Sequence, residues 1–321
     1  MAGLAKRLTT RLWRELARGV ARIAPASWLP APKRRIFDCL MLYREIDLLE
    51  IRLNELYDHV DFFVIMESSR SFTGNENRPI FPDHAARFEK FRDKIRYVFL
   101  DEVPASAYVK NPMTPDTDTC EFWQRSQLRR GLTGAEDHDL IIYSDADEIP
   151  TISGIRRASF LLSAGEPMAL LLQSWRLLYF DGVVDKPWRG SGVTTRANLR
   201  DHFEDDMNTL WGPRWTESPV AMVKDGGWHI SFLGHADMIR TKMKACGHPS
   251  MQQDFLDALK ERRFNGFHFN PQPSASLPGF VRDHPERWHS YMYSETAYRQ
   301  LCEDLTNEPF AGNSPVEASS S

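Results

Sequence analysis

The stretch that decides the fold is DLIIYSDADEIP, residues 139–150. Its apolar run, residues 140–143, predicts a buried β-strand that ends in Asp145, Asp147 and Glu148. In an open α/β sheet, ligands bind beyond the carboxyl ends of the strands. One residue separates the two aspartates, so in an extended segment both side chains point to the same side and can share a hard cation and the phosphates it bridges. A solvated turn that caps the next helix is the alternative.

Short apolar runs alternate with helical segments on both sides of this stretch. Such alternation predicts an α/β fold with a mostly parallel central sheet and helices on both faces. The predicted strands are residues 36–42, 60–68, 95–102, 139–150, 168–180 and 228–234, of which 168–180 is either one strand or a pair. The predicted helices are residues 46–56, 121–131 and 236–246.

Composition excludes several classes of protein. The chain has 321 residues, 42% hydrophobic and 26% charged, which is typical of a globular protein. Its apolar runs are far shorter than a membrane-spanning helix requires. The four cysteines are widely spaced, which indicates neither a zinc site nor disulfides and favours a reducing, cytoplasmic location.

Basic residues are concentrated at the N-terminus. The first 35 residues contain nine Lys or Arg and one acid, and the acidic remainder gives no reason to expect nucleic-acid binding. Residues 4–23 show helical spacing, and their arginines, which interrupt any apolar signal region, share one face. We therefore expect a basic amphipathic segment, residues 1–31, that lies on an anionic membrane at the inner face, with Trp13 at the interface. A surface helix packed on the body or on a dimer partner is the alternative.

Three ordered segments resemble a known family. They are FDCLMLYREIDLLEIRLNELYDHVDFFVIMESSRSFTG (37–74), SDADEIP (144–150) and GWHISFLG (227–234), the last followed by Lys242. Together they are similar to the glycosyltransferase family that includes β-1,4-mannosyl-glycoprotein 4-β-N-acetylglucosaminyltransferase. Arg44 stands where this pattern has Asn.

The resemblance implies a GT-A-like nucleotide-sugar-binding domain, which we place at residues 32–306, before a disordered tail at residues 307–321. It implies inverting transfer of a sugar, N-acetylglucosamine, from a UDP-sugar to a glycan. A lipid-linked glycan is a further expected acceptor, because residues 4–23 are expected to lie on a membrane. The resemblance also implies a divalent metal, Mn²⁺ or Mg²⁺, which stabilises the diphosphate leaving group as a Lewis acid.

Site roles follow from the same resemblance. Asp147 is expected to bind the metal directly, and Asp145 to lie near the ribose or the metal. His229 is expected to be the third protein ligand or to contact the β-phosphate in catalysis. Glu148 either reaches the sugar or caps the following turn.

Five further residues are candidates for binding the nucleotide sugar: Glu45, Glu67, Ser68, Arg125 and Lys242. Glu67 and Ser68 end a predicted strand, where a base or ribose would rest. Arg125 and Lys242 carry the charge to hold a phosphate. A helix-surface ion pair is the alternative for Glu45, and a solvated helix face is the alternative for Arg125.

The general base that takes the proton of the acceptor hydroxyl is not evident from the sequence. Asp225, beside a Gly-Gly pair, is the first candidate, and the acids of residues 204–206 are others. His248 is a second possible metal or phosphate ligand. Trp175, Trp188, Trp211 and Trp215 are either platforms for sugar rings or core residues.

Two other functions are compatible with parts of the sequence. A haloacid-dehalogenase-like phosphatase would use Asp145 as a covalent nucleophile, although its motif belongs on the first strand of the domain. A non-catalytic carbohydrate-binding or membrane-scaffolding module is the second alternative.

Overall fold

The computed structural model describes residues 2–30, 34–111, 114–216, 220–245, 251–264, 266–272 and 276–308. The strands in this part are β1 (Ile36–Met41), β2 (Phe62–Ser68), β3 (Ile95–Leu100), β4 (Val109–Asn111), β5 (Thr114–Thr119), β6 (Leu140–Asp145), β7 (Glu148–Pro150), β8 (Met168–Leu177), β9 (Gly182–Thr195), β10 (Ala221–Val223), β11 (Gly227–Ser231), β12 (Arg263–Phe264) and β13 (Phe267–Pro271).

Helices separate many of these strands. They are α1 (Ala2–Ile23), α2 (Ile46–Leu56), α3 (Glu121–Gln127), α4 (Ile152–Ser163), α5 (Arg196–His202), α6 (Ala236–Ala245), α7 (Met251–Glu261), α8 (Gly279–Asp283), α9 (Pro285–Trp288) and α10 (Glu295–Asn307). The long segment Pro82–Lys94 is a succession of 3₁₀ turns. The predicted tail lies outside the described residues from position 309 onward.

The central sheet is mixed, which corrects the expectation of a mostly parallel sheet. Its strand order is β3-β2-β1-β6-β9-β8-β11-β7, with β10 paired to β8 and β13 to β9. The first four strands are parallel, as alternation with helices predicts. Strand β9 pairs antiparallel with both β6 and β8, because the chain reverses direction after β8 and the long strand β9 runs back along it. The α/β class is confirmed, and the parallel arrangement holds for only part of the sheet.

Alternate residues of the central strands face opposite sides of the sheet. In β6, Leu140 and Ile142 pack with apolar residues of α2 and α4, whereas Ile141 and Tyr143 pack with residues 128–132 and 199–210. Both faces of the strand are therefore buried, which explains its continuous apolar sequence. The same burial leaves only its end, at Asp145, close to solvent.

The predicted strand at residues 139–150 is interrupted. A turn at Ala146 and Asp147 divides it into β6 and β7, and β7 pairs antiparallel with β11. The extended geometry from which we predicted that Asp145 and Asp147 point to the same side is therefore not present. The turn instead allows the two carboxylates to meet different partners.

Helix α1 confirms the helix predicted at residues 4–23 and packs against α4 through Ala17 and Ala21. Arg18 donates to both carboxylate oxygens of the buried Glu166, at 2.6 and 3.0 Å. This arginine therefore faces the protein. In the described part of the chain, no helix combines the length and hydrophobicity needed to cross a bilayer.

Candidate functional site

Arg52 supports the carboxylate turn from behind. This arginine lies in α2, is fully buried, and donates to both oxygens of Asp38 in β1, at 2.6 and 2.7 Å. The same guanidinium donates to the backbone carbonyl of Glu148 at 2.6 Å and to the hydroxyl of Ser144 at 2.8 Å. A planar group with five donors is suited to holding several acceptors in fixed positions. The position of the turn therefore depends on a buried ion pair between α2 and β1.

Asp145 lies at the end of β6 between two arginines. Its Oδ1 accepts a 2.6 Å hydrogen bond from Arg125, and its Oδ2 lies 3.8 Å from Nη1 of Arg214. Burial by itself raises the pKa of Asp145, but the two guanidinium groups outweigh it and hold the pKa below its ordinary value. Asp145 is therefore ionised, and its charge is already balanced by arginine.

Arg125 was a candidate for gripping a phosphate, and the structure gives it other partners. It is buried, it bonds Glu121 at 2.9 Å and the hydroxyl of Tyr143 at 2.9 Å, and its guanidinium lies 4.4 Å from the ring centre of Trp211. With these contacts its role is to hold Asp145 in place. A direct contact to a nucleotide stays a prediction.

Asp147, in the turn, meets a different set of groups. Its Oδ2 lies 2.6 Å from Nζ of Lys242, and its Oδ1 lies 3.6 Å from Nε2 of His229. Burial raises the pKa of Asp147, but Lys242 and then His229 outweigh that effect and place the pKa well below its ordinary value. A carboxylate that is ionised at neutral pH is what a divalent cation requires of its ligand.

Lys242 joins Asp147 to a residue from another part of the chain. Its ammonium lies 2.9 Å from Oε1 of Glu45, whose second oxygen accepts from the backbone N–H groups of Tyr43 and Arg44. Burial lowers the pKa of Lys242, but Asp147 and Glu45 outweigh that effect and raise it above its ordinary value. Glu45, a candidate for binding the nucleotide sugar, therefore shares one cation with Asp147, the expected metal ligand.

Glu148 is buried and fully bonded. Arg214 donates to both of its oxygens at 2.7 and 2.9 Å, and the indole N–H of Trp188 donates to Oε1 at 2.7 Å. Burial raises the pKa of this carboxyl, and the charge of Arg214 opposes the rise. These bonds occupy both oxygens, so the expected contact with the sugar stays a prediction.

His229 is held opposite Glu148 by the pairing of β11 with β7. This pairing requires Gly227, which has a φ of 135° and whose missing Cβ would lie 2.0 Å from the carbonyl oxygen of Ile149. The imidazole packs against Trp188, with ring centres 4.3 Å apart, and its Nδ1 is buried without a hydrogen-bond partner. The other ring nitrogen, Nε2, is the one that faces Asp147.

Four tryptophans form a connected cluster beside His229. Trp188 lies 5.4 Å from Trp175 and 5.7 Å from Trp215, and Trp215 lies 5.3 Å from Trp211, measured between ring centres. Trp175 is buried, whereas Trp215 is 50% exposed. Of the four, Trp215 has the exposed face that stacking on a sugar ring requires.

Glu67 and Ser68 lie at the end of β2, in a separate network. Both oxygens of Glu67 accept bonds from the backbone of Ile80 and Phe81, and the hydroxyl of Tyr97 adds a third at 2.9 Å. Burial raises the pKa of Glu67 despite these bonds. The contacts show Glu67 anchoring the segment before the 3₁₀ turns, and its role toward a nucleotide stays a prediction.

The candidate general bases lie outside this cluster. Asp225 has a φ of 53°, precedes β11 and has an exposed side chain, while its carbonyl accepts a bond from Thr151. Asp205 pairs with Arg196, and Asp206 caps the backbone of Asn208 at 2.8 Å. These contacts are structural, so the base is not identified by geometry. His248 lies outside the described residues.

Sequence reasoning missed Arg52 and Arg214 as site residues. The sequence did contain a signal for Arg52. This arginine lies between Leu48 and Leu56 on the apolar face of α2, and Asp38 is an acid within an apolar strand. A charge that interrupts a buried face needs a buried partner. Arg214 has no comparable signal, since its position depends on irregular chain between α5 and β10.

A pocket opens beside Glu45 and Lys242. Its walls come from the start of α2, the end of β11 and α6, and Arg44 and Asp47 add charge to apolar side chains such as Leu233. The described residues contain no group of three or more His, Cys, Asp and Glu that could hold a metal ion. The expected roles of Asp147 and His229 as metal ligands stay predictions.

The model of glycosyltransferase family 17 matches residues 26–265. This range includes the carboxylate turn, His229, Lys242 and Glu45.

Among curated proteins, the β-1,4-mannosyl-glycoprotein 4-β-N-acetylglucosaminyltransferases of Rattus norvegicus and Homo sapiens are similar to this chain. Each is 32% identical over 154 residues. The match covers 44% of this chain and 28% of each relative, so the similarity spans less than a third of the relatives' length.

Proposed function

Because the chain belongs to glycosyltransferase family 17, we propose that it transfers a sugar, N-acetylglucosamine, from a UDP-sugar to a glycan acceptor with inversion at the anomeric carbon. The named relatives are N-acetylglucosaminyltransferases, which supports the choice of sugar. A GT-A-like arrangement of the domain is part of this proposal, because an apolar parallel strand ends in the acidic turn.

The observation that carries the proposal is the environment of Asp147. An ionised carboxylate lies just beyond the carboxyl end of a central strand, next to Lys242, His229 and an open pocket. Strand ends of this kind are where α/β proteins bind nucleotides. Cationic groups at the same place suit a diphosphate.

Metal use is included in the proposal. Asp147 and His229 would hold Mn²⁺ or Mg²⁺, because carboxylate oxygen and imidazole nitrogen are suitable donors and Nε2 of His229 lies 3.6 Å from Oδ1 of Asp147. When bound, the ion would act as a Lewis acid on the diphosphate leaving group. Asp145 stays a predicted further ligand through its Oδ2, since Arg125 occupies only its Oδ1.

The residues of the chain contribute binding and orientation. Lys242 offers a mobile positive charge to the diphosphate, and Trp215 offers an exposed ring to the acceptor sugar. In the transfer, the acceptor oxygen forms a bond to the anomeric carbon as the bond to the diphosphate breaks. UDP leaves with the electron pair, and a carboxylate accepts the hydroxyl proton.

The proposal also includes binding of α1 to an anionic membrane surface. The contact is made by the exposed apolar side of the helix rather than by a face of arginines. The exposed side of α1 is an apolar ridge made of Leu12, Trp13, Leu16 and Ile23, which are 70, 54, 57 and 84% exposed. Trp28, 80% exposed, follows the helix. This ridge lies opposite Ala17 and Ala21, and exposed arginines at positions 11 and 22 flank it. Apolar side chains flanked by cations suit the interface of an anionic membrane.

The experiment that tests the enzymatic proposal is a panel of UDP-sugars incubated with the full chain, with and without Mn²⁺. Hydrolysis of the donor needs no acceptor, so release of UDP identifies the sugar directly. We expect release from UDP-N-acetylglucosamine, and we expect chelation of the metal to stop it. No metal-dependent release from any donor in the panel would contradict the proposal.

The phosphatase alternative is not supported. Family membership points to transfer, and β6, which carries Asp145, follows three other strands of the sheet along the chain. One of the two carboxylate oxygens of Asp145 that could attack a phosphate, Oδ1, is hydrogen-bonded to Arg125. The family assignment likewise argues against a module without catalysis.

A further inference from the structure

We propose that the divalent-cation site of this chain lies between Glu45 and Asp147, and that the ammonium of Lys242 closes it until a nucleotide diphosphate draws the lysine away. The inference rests on the proposed use of a metal and a nucleotide sugar. It adds Glu45 as a metal ligand. It also makes Lys242 the residue that lets the metal bind only after the nucleotide diphosphate.

The first step of the argument is geometric. Nζ of Lys242 lies 2.6 Å from Oδ2 of Asp147 and 2.9 Å from Oε1 of Glu45. The two carboxylates come from distant parts of the chain, the loop before α2 and the turn after β6, yet they face the same point. Two carboxylate oxygens directed at one position are what a hard divalent cation takes from a protein.

The second step concerns charge. Two adjacent carboxylates repel each other unless a cation lies between them, and Lys242 is that cation in the free protein. An ammonium and a divalent ion at the same position repel strongly in a site with little water. Occupation by Lys242 and occupation by metal therefore exclude each other.

The third step is the way by which Lys242 leaves. Its side chain is 25% exposed, it projects from α6, and it borders the pocket beside Glu45. A lysine is a compact charge on a flexible stem, so it can follow an anion that enters this pocket. The diphosphate of a nucleotide supplies two or more negative charges there. The carboxylates are then free to accept the metal.

The test measures binding of Mn²⁺ alone, without nucleotide, by the electron paramagnetic resonance signal of the free aqueous ion. We expect weak binding by the wild-type chain and binding about tenfold tighter or more by Lys242→Met, because the competing charge is gone. Lys244→Met, an exposed residue of the same helix, is the matched control and should behave as wild type. Adding Glu45→Gln to Lys242→Met should remove the gain.

Thermal unfolding of each variant establishes that it is folded, and Lys242→Gln replaces Lys242→Met if the latter is not. Equal affinity of wild type and the Lys242 variant for Mn²⁺ would overturn the inference, as would a gain that survives Glu45→Gln. A separate titration with UDP and Mn²⁺ tests the donor proposal. If wild type binds UDP with metal and the Lys242 variant gains nothing, the donor proposal stands and the inference fails. If the Lys242 variant gains affinity for Mn²⁺ but wild type does not bind UDP with metal, the inference stands and the donor proposal fails.

Discussion

Arg52 and Asp38 form a fully buried ion pair in which two nitrogens of the guanidinium meet two oxygens of the carboxylate, at 2.6 and 2.7 Å. The pair joins α2 to β1 beneath the carboxylate turn. Because Arg52 also holds the carbonyl oxygens of Glu148 and Asp145, the position of the turn depends on this contact. Arg52 does not line the pocket, yet it positions Asp147.

Replacing Arg52 by Met is expected to lower the free energy of unfolding by about 3–5 kcal/mol, because it leaves the charge of Asp38 buried without a partner. Urea denaturation measures this change. Arg92→Met is the control, since Arg92 pairs with Glu89 on the surface and its loss should change the stability little. A stability of Arg52→Met equal to that of the control would show that the pair does not support the fold.

Asp147→Asn is expected to abolish Mn²⁺-dependent binding of UDP while the protein stays folded, because a neutral amide does not supply the charge that the cation requires. Isothermal titration calorimetry with UDP, with and without Mn²⁺, gives the result. Asp237→Asn, an exposed acid on α6, is a suitable control. Unchanged nucleotide affinity in Asp147→Asn would refute the proposed role of the carboxylate.

His229→Ala is expected to lower kcat for donor hydrolysis by about tenfold or more, as when one contact to developing charge is removed. The imidazole lies 3.6 Å from Asp147 and packs on Trp188, so its removal also changes the packing of the site. Thermal unfolding separates the two effects, and His268→Ala, at an exposed position, is the control. Wild-type kcat in His229→Ala would assign the ring to packing.

The full chain is expected to co-sediment with liposomes that contain phosphatidylserine. The combined substitution Leu12→Ser, Leu16→Ser and Ile23→Ser should abolish most of this binding, because it removes the exposed apolar ridge. Val109→Ser, at another exposed apolar position, serves as the control. Binding by wild type should weaken as salt increases, since each basic side chain near the surface contributes about 1 kcal/mol.

Equal sedimentation of the wild-type and ridge variants would remove the membrane role. If size-exclusion chromatography instead shows that wild type is a dimer and the variant a monomer, the ridge is the interface between two copies. Liposomes of neutral lipid distinguish the contribution of the arginines from that of the apolar side chains.

The sequence by itself determined the α/β class, helix α1, the acidic end of strand β6 and the family resemblance. These features are local: apolar runs predict buried strands, helical spacing predicts helices, and three ordered motifs are specific to a family. The acid at position 38 and the arginine at position 52 also carried a local signal, since each interrupts an apolar pattern. That signal indicated burial and a partner, although it did not identify which partner.

Only the tertiary structure decided which charges meet. The turn at Asp147 separates this residue from Asp145, so one aspartate meets Lys242 and the other meets Arg125. Two residues separated by one position lie on the same side of an extended strand, but a turn between them places them on different sides. The antiparallel strands of the sheet and the outward face of α1 likewise depend on contacts between distant segments. Such contacts follow from packing of the whole chain, which no local pattern records.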